Sequence, residues 1–320
     1  MISRLHFAHL PTRVEDLPRI SATLQGPRLL VKRDDQTGLA FGGNKTRKLE
    51  YLLGDAREKG AETLITAGAV QSNHCRQTVA AATRFGFKCI LVLFGDPPEP
   101  PDGNHLLHYL LGADVIYTAR DKMQTVLQAT FRQAEDEGQK PYLIPYGGSN
   151  PVGVMGYITA MEELAEQGID PDWIVFPTSS GGTQAGMLVG ARKTGYKGKI
   201  LGISVDESGE KLSAHVADLA TRTAAFMGED WTFNGDEVLV NDHYTGAGYG
   251  IMGEPEINAI RLFAQREALL LDPVYTGRAA AGLIDLIHQG FFDESDKVLF
   301  WHTGGTPALF ASKYQSRLIG

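Results

Sequence analysis

The stretch Trp-Ile-Val-Phe-Pro-Thr-Ser-Ser-Gly-Gly-Thr-Gln-Ala-Gly, residues 173–186, contains the unit from which the fold is built. It begins with apolar residues that suit a buried strand and passes through a turn of small residues and glycines into a helical segment. Such a turn leaves backbone N–H groups free to converge on an anion at the helix N-terminus. We therefore expect a strand–turn–helix unit whose glycines serve either a phosphate-like anion or tight packing.

The same alternation extends along most of the chain and predicts the fold class. Helical periodicity is clear from Leu49 to Ala56 and from Ile257 to Phe263. Strand–helix alternation implies βαβ units, and therefore an α/β fold with mostly parallel, twisted sheets covered on both faces. The best hinge candidate is 147–151, where glycines and an X-Pro step interrupt both periodicities. The other predicted strands are 63–66, 89–93, 115–117, 142–144, 200–203 and 298–301.

Composition limits the kinds of partner and the compartment. A formal charge of −8 over 320 residues argues against a nucleic acid or an anionic membrane as the main partner. Cys75 and Cys89 are the only cysteines, so neither a disulfide framework nor a cysteine-based zinc site is expected. We see neither a signal-peptide core at the N-terminus nor an apolar run long enough to span a bilayer. We expect a cytoplasmic protein with no metal, no nucleic acid and no membrane partner.

The run Phe-Gly-Gly-Asn-Lys-Thr-Arg-Lys-Leu-Glu at 41–50 presents a lysine at the start of a helix. Gly42 and Gly43 let the main chain approach a ligand closely, and Asn44 is a suitable N-cap. Lys45 is thus a candidate covalent nucleophile. A solvated lysine in the first helical turn is the commoner outcome, so the other loops have to decide between the two.

Two further strand-end loops carry polar side chains. The strand at 63–66 leads into Gln71, Ser72, Asn73 and His74, where Ser72 occupies an N-cap position and the first-turn amides suit a carboxylate. These residues either hold a small anionic substrate or simply cap the helix and form the turn. The strand at 298–301 leads into a third loop, 302–307, which contains Thr303.

The glycine turn at 180–183 is neither a P-loop nor a clean dinucleotide fingerprint. Tyr249 and Tyr275 lie in glycine-rich surroundings, where a tyrosine more often packs as a wedge than binds a ligand. A presented lysine, a phosphate-binding turn and a loop for a carboxylate are nevertheless the parts that a pyridoxal phosphate enzyme needs.

From about Leu10 to the C-terminus, the sequence resembles the tryptophan-synthase-β-like (fold type II) pyridoxal phosphate enzymes. Within them it is most similar to the branch that contains 1-aminocyclopropane-1-carboxylate deaminase, D-cysteine desulfhydrase and L-cysteate sulfo-lyase. The resemblance implies a smaller domain at 51–156 inserted in a larger one, 1–50 plus 157–320, with the active site between them, and a homodimer. It rests on the motifs at 32–35, 42–45, 71–74, 271–275 and 302–305.

The resemblance also implies roles for individual residues. Lys45 would be the Schiff-base lysine and the base that removes the Cα proton. Ser72 would hold the substrate carboxylate or take part in proton transfer, and Asn73 would face the ring hydroxyl of the cofactor. The implied catalytic residues are Lys45, Ser72, Tyr249 and Tyr275. The implied cofactor-binding residues are Lys45, Asn73, Ser180, Gly181, Gly182, Thr183 and Thr303. The implied substrate-binding residues are Gln71, Ser72, Asn73, His74 and Thr276.

Thr276 and Thr303 bear on which reaction is catalysed. In the cyclopropane deaminases, a glutamate at the position of Thr276 faces the pyridine nitrogen and keeps it protonated. A threonine hydroxyl does not, so less carbanion charge reaches the ring. That is sufficient where a good leaving group on Cβ departs once the Cα proton is gone. We therefore expect β-elimination, first on D-cysteine, then on L-cysteate, with cyclopropane-carboxylate deamination third.

Two hypotheses from other classes complete the set. One is a nicotinamide-dependent oxidoreductase that uses the glycine turn at 180–186. The other is a cofactor-binding or ligand-sensing relative that kept the fold and lost turnover.

Overall fold

The strands of the protein form two separate sheets. A computed structural model describes residues 3–319. Its strands are β1 (Val14–Asp16), β2 (Arg28–Lys32), β3 (Thr63–Ala69), β4 (Lys88–Phe94), β5 (Asp114–Thr118), β6 (Pro141–Leu143), β7 (Trp173–Thr178), β8 (Lys199–Ser204), β9 (Leu239–Asn241) and β10 (Lys297–Trp301). The first sheet has the order β1-β2-β10-β7-β8-β9 and the second the order β5-β4-β3-β6. Among the described pairings only β1 with β2 is antiparallel.

Helices connect the strands and cover the sheets. They are α1 (Pro18–Leu24), α2 (Asn44–Glu58), α3 (Asn73–Phe85), α4 (Gly103–Leu110), α5 (Met123–Asp136), α6 (Pro151–Glu166), α7 (Gly182–Thr194), α8 (Gly209–Met227), α9 (Glu254–Glu267), α10 (Thr276–His288) and α11 (Ser312–Ile319). In the described part of the chain, no helix is both long enough and apolar enough to cross a bilayer.

The predicted α/β fold with mostly parallel sheets is confirmed, and each of the strand runs predicted from the sequence coincides with an observed strand, although the run at 142–144 extends one residue beyond β6. β1, β2 and β9 were not predicted from the sequence. β1 and β9 are three residues long and lie at the two edges of their sheet, where little of each strand is buried. β2 has only three apolar residues between Arg28 and Lys32, a run too short to stand out.

Each sheet has its own apolar core. Leu52 of α2, Leu64 of β3 and Leu91 of β4 belong to the core beside the four-stranded sheet, whereas Phe263 of α9 and Phe300 of β10 belong to one beside the other sheet. The four-stranded sheet lies inside the predicted 51–156 domain, and the predicted hinge at 147–151 lies between β6 and α6. The domain boundaries themselves stay a prediction, and residues 1, 2 and 320 of the larger domain lie outside the described residues.

A buried carboxylate joins the start of α2 to the six-stranded sheet. Asp34 accepts two hydrogen bonds from the guanidinium of Arg47 in α2, at 2.9 and 2.8 Å. It also accepts one from Tyr157 of α6, at 2.6 Å, and one from Trp301 of β10, at 2.8 Å. All four side chains are 1% exposed or less, so they bind one another instead of water.

A second carboxylate completes this ionic cluster. Glu163 of α6 pairs with Arg47 at 2.9 Å and with Lys32 of β2 at 2.5 Å. Burial raises the pKa of Asp34, and the charges of Arg47 and Lys32 more than offset it, so that the pKa falls to about 2. The two cations and the two carboxylates therefore stay ionised together at neutral pH.

We predict that Asp34→Asn lowers the free energy of unfolding by about 3–5 kcal/mol, because two buried cations are left with one carboxylate. Urea unfolding followed by circular dichroism measures the loss. Asp218→Asn is the matched control: it removes the partner of Arg222 in a pair that is 62% and 53% exposed, so it should change the free energy by less than about 0.5 kcal/mol.

Asp34→Asn also tests how the free energy of unfolding depends on pH. A carboxylate whose folded pKa is depressed stabilises the fold above its unfolded pKa of about 3.9, and this contribution is lost as the pH falls towards the folded value. The wild-type protein should therefore lose this part of its stability between about pH 4 and about pH 2. Identical stability–pH curves for wild type and Asp34→Asn would contradict the assignment.

Candidate active site

A cavity lies where strands of both sheets end. It is lined by residues that follow β3, β6, β7 and β10, together with the first turn of α2, and its empty volume is about 610 Å³ including the part open to solvent. The predicted site residues that line it are Lys45, Ser72, Asn73, His74, Ser180, Gly181, Thr183, Tyr275 and Thr303.

Hydrogen bonds fix the loop that presents Lys45. Gly43 has a φ of 124°, and a Cβ there would lie 2.4 Å from Nε2 of Gln77, so only glycine fits. The N–H of Asn44 donates to the carbonyl of Thr303 at 3.0 Å. The prediction that Asn44 is the N-cap is wrong: Asn44 is the first helical residue, and its side chain donates instead to Oγ1 of Thr183 at 3.1 Å.

Two lysines share the cavity side of α2. Burial lowers the pKa of Lys45 to about 8. Lys48 follows three residues later, is 1% exposed, and donates to the carbonyl of Gly147 at 3.2 Å and to Oγ of Ser149 at 3.3 Å. Burial first, and the charge of Lys45 second, lower the pKa of Lys48 well below its usual range. Among the described ion pairs none involves Lys48, so its charge lacks a carboxylate partner.

The start of α7 forms a cradle around this unpaired charge. Oγ of Ser149 lies 2.9 Å from Oγ of Ser180 and accepts a hydrogen bond from the N–H of Gly182 at 3.2 Å. A Cβ on Gly182 would lie 2.5 Å from Oγ of Ser149 and 2.7 Å from Nζ of Lys48, so glycine lets hydroxyls, ammonium and helix N-terminus converge. First-turn amides, hydroxyls and a cation together make a phosphate-binding cradle.

The loop after β3 contributes a cap and an oriented amide. Ser72 caps α3, as predicted, since its Oγ accepts from the N–H of Cys75 at 3.1 Å. Oδ1 of Asn73 accepts from Arg76 at 2.8 Å and from Asn104 at 2.9 Å. Because an arginine side chain can only donate, the carboxamide of Asn73 cannot be flipped, and its NH₂ group remains for a ligand.

His74 is held as a neutral imidazole. Oγ1 of Thr66 donates to the carbonyl of Ile144 at 2.9 Å, so Nε2 of His74, 2.9 Å from the same Oγ1, has to be the donor of that pair. The proton therefore resides on Nε2, and buried Nδ1 has a free lone pair, with no hydrogen-bond partner among the described residues. Burial, then the charges of Lys45 and Lys48, lower the pKa of His74 well below its usual value.

Tyrosines form the far end of the cavity. Tyr146 and Tyr275 line it, and the hydroxyl of Tyr275 lies 2.7 Å from that of Tyr249. Burial raises the pKa of Tyr249 and Tyr275 well above the ordinary value, so both hydroxyls keep their protons. The guanidinium of Arg120 lies 5.5 Å from the ring centroid of Tyr249 and 3.4 Å from a carboxylate oxygen of Asp206.

Four predicted site residues lie behind the cavity wall. Gln71 binds Asp102 and Asn104, Gly182 lies at the base of the cradle, and the hydroxyl of Tyr249 contacts that of Tyr275 on the wall. Thr276 was expected to face a ligand. Its hydroxyl instead donates to Oδ1 of Asp272 at 2.8 Å and accepts from the N–H of Asp272 at 2.7 Å. Asp272 also accepts from the N–H groups of Val274, Tyr275 and Thr276, so Thr276 serves the start of α10.

Several residues of the site were missed from the sequence. Lys48 could have been found, because a residue three positions after Lys45 on a helix shares its face. Tyr146 and Gly147 follow the predicted strand at 142–144 and could have been found by the strand-end rule. The contacts of Arg76 with the carbonyl of Gly42 join residues far apart in sequence, and no local signal predicts them.

The arrangement supplies an amine of lowered pKa at Lys45, a phosphate-binding cradle at the start of α7, and an amide donor of fixed orientation at Asn73. Schiff-base chemistry requires a neutral amine held beside an anchored carbonyl compound. The residues present therefore fit pyridoxal phosphate, and no acidic residue among those that line the cavity offers the ribose partner of a nicotinamide cofactor.

Comparison with known proteins gives the same result. A family profile described as "Pyridoxal-phosphate dependent enzyme" matches residues 5–304. The chain is similar to a crystal structure described as an ACC deaminase homologue, with 37% sequence identity and a TM-score of 0.91 over 99% of this chain and 96% of that one.

Two more distant structures share the fold alone. One is a pyridoxal 5′-phosphate-dependent aspartate racemase, with 20% identity and a TM-score of 0.67 over 92% of this chain and 90% of that one. The other is an L-serine ammonia-lyase from the fungus Rhizomucor miehei, with 15% identity and a TM-score of 0.70 over 99% and 98%. With the cavity described above, these findings overturn the nicotinamide hypothesis. The chain belongs to the fold type II family of pyridoxal-phosphate dependent enzymes, and pyridoxal 5′-phosphate is its cofactor.

Proposed function

We propose that the protein catalyses β-elimination on a small amino acid, with D-cysteine as the first substrate and pyruvate, sulfide and ammonia as products. The observation that carries the proposal is the absence of any carboxylate among the described residues that line the cavity, where Thr303 offers a hydroxyl instead. A hydroxyl does not hold a proton on the ring nitrogen, so the electron sink is moderate. A moderate sink suffices when a leaving group departs from Cβ.

The cofactor would be held at both ends. Lys45 would bind it covalently, while Lys48, the hydroxyl of Ser180 and the first-turn amides of α7 would bind its phosphate. The NH₂ group of Asn73 would donate to its ring oxygen. When bound, pyridoxal phosphate withdraws electrons from Cα of an attached amino acid and makes the Cα proton acidic.

The residues around it would then move protons and hold the substrate. Lys45, released by the incoming amine, would take the Cα proton, for which a pKa of about 8 suits a base at neutral pH. The N-terminus of α3 at Ser72 would bind the substrate carboxylate. The hydroxyl of Tyr275 would donate to the sulfur as the Cβ–S bond breaks, and Tyr249, 2.7 Å away, would support that hydroxyl.

A second candidate reaction is the elimination of sulfite from L-cysteate. Arg120 favours it, because it lines a second pocket that shares Tyr146, Ser179 and Ser180 with the cavity, and its contact with Asp206 is a single one at 3.4 Å. A sulfonate could take the place of that carboxylate. Cyclopropane-carboxylate deamination stays third, supported by the likeness to the ACC deaminase homologue.

The homodimer that the resemblance implies stays a prediction. Exposed apolar side chains on α4 and the neighbouring edge strand β5 would suit such an interface. They are Leu106, Tyr109, Leu110, Ile116 and Tyr117.

Pyruvate release from purified protein tests the proposed function. The screen covers D- and L-cysteine, L-cysteate, β-chloroalanine and 1-aminocyclopropane-1-carboxylate, with sulfide, sulfite and ammonia measured in parallel. We expect D-cysteine to have the highest kcat/KM, and Lys45→Ala to release no pyruvate from any of them. Release of 2-oxobutanoate from the cyclopropane acid at a higher kcat/KM than pyruvate from D-cysteine would overturn the proposal.

One variant separates the first candidate from the second. Arg120→Gln should lower kcat/KM for L-cysteate about tenfold, because the sulfonate loses its cation, and should leave D-cysteine within about twofold. Equal losses for both substrates would show that Arg120 does not select the side chain.

The lowered pKa of Lys45 predicts how covalent binding of the cofactor depends on pH. The neutral amine is the nucleophile, so the initial rate at which cofactor-free protein develops visible absorbance should rise with pH and reach half its maximum near pH 8. An ordinary lysine would reach it near 10.5. Lys45→Ala, which should develop no such band, is the control, and a midpoint above about pH 10 would contradict the assignment.

Replacing Lys48 should have opposite effects on cofactor affinity and on the stability of the cofactor-free protein. Lys48→Met should weaken cofactor binding about 10- to 100-fold, because a charge-assisted hydrogen bond to the phosphate is lost. It should also raise the melting temperature of the cofactor-free protein, because burial of the Lys48 amine, which lowers its pKa, costs free energy that methionine does not. Fluorescence titration and thermal melting measure the two effects. Lys59→Met, at a lysine that is 62% exposed, should change neither, and an unchanged affinity in Lys48→Met would exclude Lys48 from the phosphate site.

A further inference from the structure

Arg76 is a buried guanidinium that pairs with no carboxylate among the described ion pairs. It is 0% exposed, and its hydrogen-bond partners are all neutral oxygens. Nη1 donates to Oδ1 of Asn73 at 2.8 Å and to Oδ1 of Asn104 at 2.6 Å, and Nη2 donates to the carbonyl of Gly42 at 2.8 Å. A fully desolvated charge without a counter-ion is unfavourable in the cofactor-free chain, so its position needs a reason.

The contacts of Arg76 connect the two loops that face the cofactor. Through Asn73 it holds the loop after β3, and through Gly42 it holds the loop that presents Lys45. Asn104 supports the same arrangement, since its Nδ2 donates to Oδ1 of Asn73 at 2.9 Å and to the carbonyl of Gln71 at 2.9 Å. The carboxamide of Asn73 thus has a cation behind its oxygen and the cavity in front of its NH₂ group.

We propose that Arg76 is a positioning residue that holds Asn73 as a donor toward the ring oxygen of the cofactor and places a positive charge behind it, so that this oxygen stays ionised. A donor backed by a cation is a stronger donor than an isolated amide, because the guanidinium polarises the amide toward the cavity. When the ring oxygen stays ionised, it does not share a proton with the covalent link between the cofactor and Lys45. Arg76 therefore lowers the pKa of that covalent link, although it does not contact it.

Other ionisable groups nearby do not replace this charge. Asp272 is the nearest carboxylate to influence Arg76, and it is itself occupied by four donors at the start of α10. Burial lowers the pKa of Arg76 to about 9, still above neutral pH. Burial also lowers the pKa of His108, which faces Arg76 from α4, to about 3, so His108 is neutral. The ionisable residues that line the cavity are Lys45, His74, Tyr146 and Tyr275, and Lys48 lies behind its wall, against the carbonyl of Gly147.

The test is a pH titration of the visible absorption of the loaded protein without any substrate. Removing a nearby positive charge favours the protonated form of the link, so Arg76→Gln should raise the apparent pKa of the absorption change by about one pH unit or more. Arg76→Lys keeps the charge and should stay within about half a unit of wild type. A purely structural role predicts equal effects in both variants, and that outcome, or no shift in Arg76→Gln, would overturn the proposal.

A second variant keeps the proposal testable if Arg76→Gln does not fold. Asn104→Leu removes the donor to Asn73 and Gln71 without adding a charge, so it is the control and should leave the titration within about half a unit of wild type. Asn104→Asp removes the same donor and puts a carboxylate oxygen 2.6 Å from Nη1, so it neutralises the charge while the guanidinium stays. It should shift the titration in the same direction as Arg76→Gln, and an unshifted titration would overturn the proposal. Since no substrate is involved, failure of the proposed elimination reaction would leave this result unaffected.

Discussion

The bidentate pair between Arg47 and Asp34 is the interaction on which the site depends. It ties the first turn of α2 to β10 and α6 inside a core from which water is excluded. Lys45 lies two residues before Arg47, and side chains two apart on a helix do not face each other. The same turn of helix can therefore bury its arginine in the core and present its lysine to the cavity. Because the pair leaves Arg47 no other arrangement, the direction in which Lys45 points is set by the core and not by the cavity.

The buried cations of the core and those around the cavity have different kinds of partner. In the core, Lys32 and Arg47 share two carboxylates, and the cluster is close to neutral. Around the cavity, Lys48 and Arg76 are equally buried but have only neutral oxygens as partners. Such charges destabilise the cofactor-free chain. An anionic ligand removes that penalty on binding, so part of the affinity for a phosphate and an ionised ring oxygen is already present in the fold as unpaired positive charge.

The sequence predicted the parts of the site that depend on local pattern. Strand ends and the loops after them are local, so 72–74, 180–183 and Thr303 were predicted as site residues, and all of them except Gly182 line the cavity. What could not be predicted depends on pairs of residues far apart in the chain. Arg76 contacts Gly42 across 34 positions, and Lys48 contacts the carbonyl of Gly147 across 99. Asn44 was misjudged for a local reason: Gly43 already provides the break before the helix, which frees the Asn44 side chain to reach Thr183.

Thr276 shows how a helix start can constrain the chemistry next to it. The N–H groups at the start of α10 need an acceptor, and Asp272 provides it. Asp272 also accepts a hydrogen bond from the hydroxyl of Thr276. That hydroxyl has no proton left for a ligand, so the proposed donor to the ring nitrogen is Thr303, which lines the cavity. A hydroxyl that can donate favours an unprotonated ring nitrogen, whereas a carboxylate would favour a protonated one. The proposed preference for elimination over ring opening thus rests on where the capping interactions of α10 leave a proton available.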